Sequence, residues 1–152
     1  MTIAQIMAPA CIHLDVDAPS KKRALERMSE YLSEGDSELN SGQVFDALLM
    51  RERLGSTGLG FGFAIPHARH AHAADVRGAC MRLAQPIDFD AMDQQPVDFV
   101  VGLLVPDGCA DEHVHTLAQL AGLLNEPDVR ARLRNAQTPE EVLEVFLSAS
   151  VA

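Results

Sequence analysis

Apolar positions along this chain recur with two different periods. In residues 20–33, Leu25, Met28 and Leu32 follow helical spacing, and Ser20 stands where an N-cap belongs. Asn40 with Gln43 three residues later has the spacing of a capping box. The helix it opens carries Val44, Phe45, Leu48 and Leu49 on its apolar side and ends near Leu54 and Gly55. Glycines at 55, 58, 60 and 62 then remove the helical signal. Residues 61–65 read as a strand, with Pro66 ending it. Residues 11–14 and 79–84 read as further strands. The run "PVDFVVGLLV", 96–105, is almost continuously apolar, as in a strand buried on both faces, and Pro106 stops it. Three helices close the chain, at about 111–124, at about 127–134, and after "TPEE". In that last motif Thr138 caps, Pro139 takes the first helical position and Glu141 completes the box. A central strand buried on both faces needs cover on both sides. With helices before and after the strands, the pattern predicts an α/β fold of three layers, an α/β/α sandwich. Strand directions do not follow from the pattern.

Length and composition narrow the picture. At 152 residues the chain is long enough for one domain with a substantial core, and no repeat, linker or low-complexity segment divides 1–152. Hydrophobic residues make up 47%, which excludes a disordered chain. No apolar run approaches the ~20 residues of a membrane span. The opening "MTIAQIMAPACIHLDVD" has no basic segment followed by a long apolar one, so it is not a signal peptide. Cys11, Cys80 and Cys109 are odd in number, far apart and among apolar or small neighbours. They read as reduced, structural thiols, and a soluble cytoplasmic protein is expected.

The formal charge of −10, from 12 basic and 22 acidic residues, argues against nucleic-acid backbone binding and suits a partner with a basic face. With no tryptophan and one tyrosine, a base-stacking platform is not expected either.

The chemistry concentrates in "LGFGFAIPHARHAH", which holds His67, His70 and His72. Three readings compete: a metal cluster, a nucleophile, or a polar loop. No acidic residue stands near before Asp75 and no cysteine accompanies the segment, so neither zinc pattern of helix-borne ligands or cysteine knuckles is present. His70 and His72, among alanines and one arginine, read as a polar loop. His67 differs. Pro66 fixes the backbone before it, and the small Ala68 leaves room for an approaching molecule. Its imidazole is partly neutral near pH 7 and can attack without a strong base. Farther on, His113 shares a helical stripe with Leu117, Leu120 and Leu124, whereas His115 lies roughly opposite. His113 is therefore either a core histidine or a second histidine of a site at a strand end.

At "RERLGSTGLGFGFAIPHA" the chain resembles the mannitol/fructose-type IIA proteins of the bacterial phosphoenolpyruvate-dependent phosphotransferase system, with the nitrogen-regulatory IIA branch the better match. The family pattern falls on Glu52, then after six variable positions on Leu59 and Gly60, then on Phe63, Ala64, Ile65, Pro66, His67 and Ala68. Phe63 departs from it, an aromatic where the family has an aliphatic residue. The likeness continues through "IDFDAMDQQPVDFVVGLLVP" and "HVHTL" and spans nearly the whole chain.

The resemblance implies a mixed sheet flanked by helices and a phosphocarrier, a phosphotransferase component that forms a phosphohistidine. His67 would accept the phosphoryl group from a phosphorylated HPr-like carrier. His113 would be the second active-site histidine, and Arg51 the arginine beside the phosphate. The residue types suit phosphoryl transfer, which needs positioning and charge stabilisation more than covalent help. Arg51 offers a fixed fork of donors. Gly58, Gly60 and Gly62 are expected to bring backbone N–H groups to the phosphate. No metal or cofactor is required, and no membrane insertion is implied. As the chain ends just after its last helix, no IIB or IIC domain is expected, and regulation would proceed through target proteins such as kinases or transporters that distinguish the two phosphorylation states. The alternatives are a sugar-transport IIA passing phosphate to a separate IIB, and a non-phosphorylated anchor domain of the same fold, against which the joint presence of His67, Arg51 and His113 counts.

Overall fold

Period-2 alternation along the long apolar strand sends its side chains into two cores, and the rest of the molecule is built on either side of it. The computed structural model describes residues 3–108 and 110–150, with the side chains of residues 4, 5, 110–113 and 150 outside the description. The order is α1 (Ile3–Ile6), a 3-10 turn (Pro9–Cys11), β1 (Ile12–Val16), α2 (Lys21–Ser33), α3 (Ser41–Arg53), β2 (Gly58–Gly60), β3 (Phe63–Ala64) and β4 (His67–His70). β5 (Arg77–Ile87), β6 (Val97–Pro106), α4 (Ala110–Leu124), α5 (Pro127–Asn135) and α6 (Pro139–Ser150) complete it. On β6, Val100 and Leu104 join a core with Leu25, Met28, Val44 and Leu48 of α2 and α3. Phe99, Val101 and Leu103 join the opposite core, with Leu120, Leu124 and Phe146 of α4 and α6. The molecule is thus the expected α/β/α sandwich.

The sheet is mixed. Its order is β1-β5-β6-β3-β2, with β4 also pairing β6. β5 and β6 are antiparallel, whereas β1 runs parallel to β5, and β3 and β4 run parallel to β6.

Helix starts follow their caps. Ser20 accepts from the Arg23 N–H, Asn40 from Gln43 N–H and Thr138 from Glu141 N–H. Gly102 lets α2 lie close to β6, since a Cβ there would collide with the buried Met28 side chain.

The glycine-rich segment departs from expectation. Residues 61–65 are not one strand: β2 runs in and reverses at Phe61 and Gly62, and β3 runs out antiparallel to it. Phe61 is held at φ 59° by contacts remote in sequence. Its N–H donates to Asp93 at 2.9 Å, its carbonyl accepts from Arg134, and Arg130 stacks over its ring at 4.0 Å. Gly60 and Gly62 supply the positive φ of the hairpin, and a Cβ on Gly58 would press on Ala91. These glycines serve the hairpin and its close packing.

The strand does break at Pro66, β3 ending at Ala64 and β4 opening at His67, but its path along β6 continues. Phe63 pairs with Phe99 and His67 with Leu103, at one unchanged offset, so β3 and β4 are a single line along β6. The missing N–H of Pro66 removes one rung, while its carbonyl still accepts from Leu103 at 3.0 Å. This continuity carries His70 into β4 beside Pro106, where it is buried, correcting the expectation of a polar loop. Only His72 lies in an exposed turn, its N–H donating to His70 Nδ1 at 3.0 Å.

Cys80 is a buried thiol whose pKa is pushed up by burial, and Cys11 is a half-buried free thiol; Cys109 lies outside the described residues. Among the described residues, no helix is long and apolar enough to cross a membrane.

Candidate functional site

Because β4 packs beside α3, the last turn of that helix faces the first residue of the strand. Arg51 sits on that turn and His67 opens β4. The Arg51 Nε–H donates to His67 Nε2 at 3.3 Å, and its Nη1 donates to the Gly55 carbonyl at 2.9 Å. On the other side of the ring, His67 Nδ1 lies 2.9 Å from the Ile65 carbonyl oxygen. A carbonyl can only accept, so Nδ1 carries the proton. A guanidinium can only donate, so Nε2 presents its lone pair. The two contacts select one neutral tautomer with a nucleophilic nitrogen aimed at a cation.

The ring opens on a depression of about 570 Å³. Ala47 and Met50 of α3 and Leu54 just after it line it on one side and Val114 and Leu117 of α4 on the other, with Arg69 and Val105 at the strand ends. Its rim is apolar and outward facing: Met50 is 65% exposed, Leu54 85% and Val114 66%. Among the described lining residues the charged ones are Arg51 and Arg69, both positive on a chain of net charge −10. Both put positive charge at the depression, opposite in sign to the field of the whole molecule.

The three clustered histidines do not converge. His67 and His70 are three apart on one strand, so they face opposite sides of the sheet. Residues two apart share a side, which puts Arg69 with His67. Arg69 carries no mark in the sequence once a strand is taken to stop at Pro66. Continuing the period-2 count past the proline is the signal that finds it. His115 is exposed on α4, as the stripe predicts. His113 belongs to the first turn of α4, and its side chain lies outside the described residues. Phe63, the departure from the family pattern, is fully buried, 5.2 Å from Phe99 between ring centroids and with Arg134 over its face.

Residues 5–149 match the family model for the phosphoenolpyruvate-dependent sugar phosphotransferase system, EIIA 2. The chain belongs to this family. Within it, the chain is 40% identical over 145 residues to the nitrogen regulatory protein of Pseudomonas aeruginosa, a match covering 95% of this chain and 94% of the relative. The crystal structure of nitrogen regulatory protein IIA-Ntr from Neisseria meningitidis superposes with a TM-score of 0.90 at 40% identity, covering 95% of this chain and 98% of that one. The IIA mannitol protein of Escherichia coli superposes at 0.78 and 24% identity, covering 92% and 98%, which speaks to the fold alone.

Proposed function

We propose that this protein is a nitrogen-regulatory-type phosphocarrier: His67 Nε2 takes a phosphoryl group from a phosphorylated HPr-like protein, and target proteins read whether it is there. The observation that carries the reading is the pair of contacts on the imidazole, Nδ1 to the Ile65 carbonyl and Nε2 to the Arg51 guanidinium.

In the transfer, the Nε2 lone pair forms a bond to phosphorus as the bond from phosphorus to the donor's nitrogen breaks. The proton stays on Nδ1, which goes on donating to the Ile65 carbonyl, so the positive charge that develops on the ring is held by a hydrogen bond already in place. Arg51 gives up its contact with Nε2 and turns its donors to the phosphoryl oxygens, where the charge gathers. Arg69, two residues along the same side of β4, adds positive potential at the mouth. His113 is proposed as the second histidine on its sequence match, a reading supported by Val114 and Leu117, which follow it on α4 and line the same depression. The apolar rim suits a protein donor, since it gives a face that can be dried when the carrier docks.

Identity of 40% and 41% to proteins named nitrogen regulatory favours regulation over sugar transport as the end of the route. The test is direct. Protein with isotope-labelled imidazole nitrogens is incubated with the phosphorylated carrier and examined by NMR. Phosphorus coupled to Nε2 of His67 is the expected result, and coupling to Nδ1 or to another residue contradicts the mechanism.

A further inference from the structure

The proposed transfer depends on Arg51 and His67 meeting at the right separation, and neither residue's own element fixes it. Arg51 ends a helix and His67 begins a strand, with a loop and a hairpin between them. Beside Arg51 stands Glu52, a carboxylate that is only 6% exposed. A buried charge is costly unless it is paired and hydrogen-bonded, and this one is. Lys21 of α2 lies 3.0 Å from Oε2. The Thr57 N–H reaches both carboxylate oxygens, at 3.3 and 3.2 Å, and the Thr57 hydroxyl donates to Oε1.

From Thr57 the hydrogen bonds continue to the site. The Thr57 carbonyl accepts from the Ile65 N–H at 3.0 Å. The Ile65 carbonyl accepts from His67 Nδ1 at 2.9 Å. One arm therefore runs from Glu52 to the acceptor ring. The second arm is shorter: Glu52 and Thr57 bracket the loop whose Gly55 carbonyl holds Arg51 Nη1 at 2.9 Å. A single carboxylate fixes the anchor of the guanidinium and the anchor of the imidazole together.

We propose that Glu52 is the positioning residue of the phosphoryl-transfer site, acting through Thr57 to set the separation of Arg51 and His67 and the tautomer of His67. The proposal rests on the functional reading above for its kinetic part only. It assigns to Glu52 no contact with the phosphoryl group. The Arg51–His67 contact is long at 3.3 Å, so a small displacement of either anchor breaks it. Displacements of ~1 Å at a reacting pair cost on the order of a hundredfold in rate.

Two near-isosteric changes test this. Glu52→Gln keeps the shape but removes the charge that holds Lys21 and one of the two accepting oxygens. Thr57→Val removes the hydroxyl, and Thr57→Ser restores it. Each protein is checked for folding, its His67 tautomer is read from labelled imidazole nitrogens without any phosphate donor, and its transfer rate from the phosphorylated carrier is measured.

We expect His67 of the native protein to be the Nδ1–H tautomer, and both Glu52→Gln and Thr57→Val to show a mixture. Their maximal transfer rate should fall by about tenfold or more, with the KM for the carrier within about twofold. Thr57→Ser should recover most of what Thr57→Val loses. A folded Glu52→Gln protein with native tautomer and native rate overturns the proposal. If Glu52→Gln does not fold, the threonine pair decides, and equal tautomers and rates for Val and Ser overturn it. If the native protein takes no phosphate, the functional reading fails, while the tautomer comparison still decides the role of Glu52.

Discussion

A guanidinium 3.3 Å from an imidazole nitrogen does two things in the proposed transfer. It donates to that nitrogen's lone pair, and it stands where the transferred charge would appear. Losing a charge-assisted contact of this kind costs about 1.5–3 kcal/mol, or about tenfold to a hundredfold in rate. Arg51→Ala should therefore slow transfer by that factor, and Arg51→Lys should not restore it fully, because lysine cannot hold Gly55 and reach Nε2 with one planar fork. A native rate for Arg51→Ala would reduce Arg51 to a helix-end residue. Arg69 is exposed and acts through its field, so Arg69→Ala should raise the KM for the carrier more than it lowers the maximal rate, and the difference should shrink as salt is added. A salt-independent loss confined to the maximal rate would contradict that role. His67 was legible as a candidate from its place between Pro66 and Ala68 and from the family pattern, and Arg51 from the family resemblance alone. Arg69 and the burial of His70 were not, since each depends on β4 continuing after a proline that sequence rules treat as a stop; nor was Thr57, which is tied to the site by hydrogen bonds to Glu52 and Ile65 that no local spacing signals.

At the scale of elements, caps read true wherever one side chain reaches one backbone N–H three residues on, as at Ser20, Asn40 and Thr138. Such bonds are local, so the sequence contains them whole. The hairpin at Phe61 could not be read this way, because its turn is held by Asp93, Arg130 and Arg134 from distant segments. The packing of β1 on α2 gives a prediction of its own. His13 of β1 stacks on Tyr31 of α2 at 3.7 Å between centroids, and among the described residues its Nε2 has no hydrogen-bond partner. Burial lowers the His13 pKa below the ordinary 6.5, with Glu34 offsetting part of the shift. The unfolded chain then takes up the proton first as pH falls. The contribution of neutral His13 to stability is full above pH 6.5 and is lost as pH drops below that value toward the folded pKa. His13→Phe keeps the stack and cannot titrate. Its denaturation midpoint should fall less than that of the native protein between about pH 7.5 and about pH 5.5. Parallel declines would show that His13 is not a source of the acid sensitivity.

For the whole molecule, the acidic balance and the small positive mouth belong together. A chain of net charge −10 repels most anions, and on the proposed function a depression lined by Arg51 and Arg69 within an apolar rim would readmit one that arrives on a protein surface. The three-layer fold was legible from the two-sided apolar run of β6, because burial on both faces demands two helical layers whatever the strand order. The order and directions of the strands were not, since periodicity carries no information about which strand lies beside which. On this account one imidazole receives the phosphoryl group. The measurement that tests this most directly is the intact mass of three proteins after incubation with a phosphorylated HPr-like carrier: the native chain, His67→Ala, and His70→Asn with His72→Ala. The account predicts a gain of one phosphoryl group in the first and third and none in a folded His67→Ala. Full labelling of His67→Ala, or loss of labelling in the folded His70 and His72 variant alone, would contradict it.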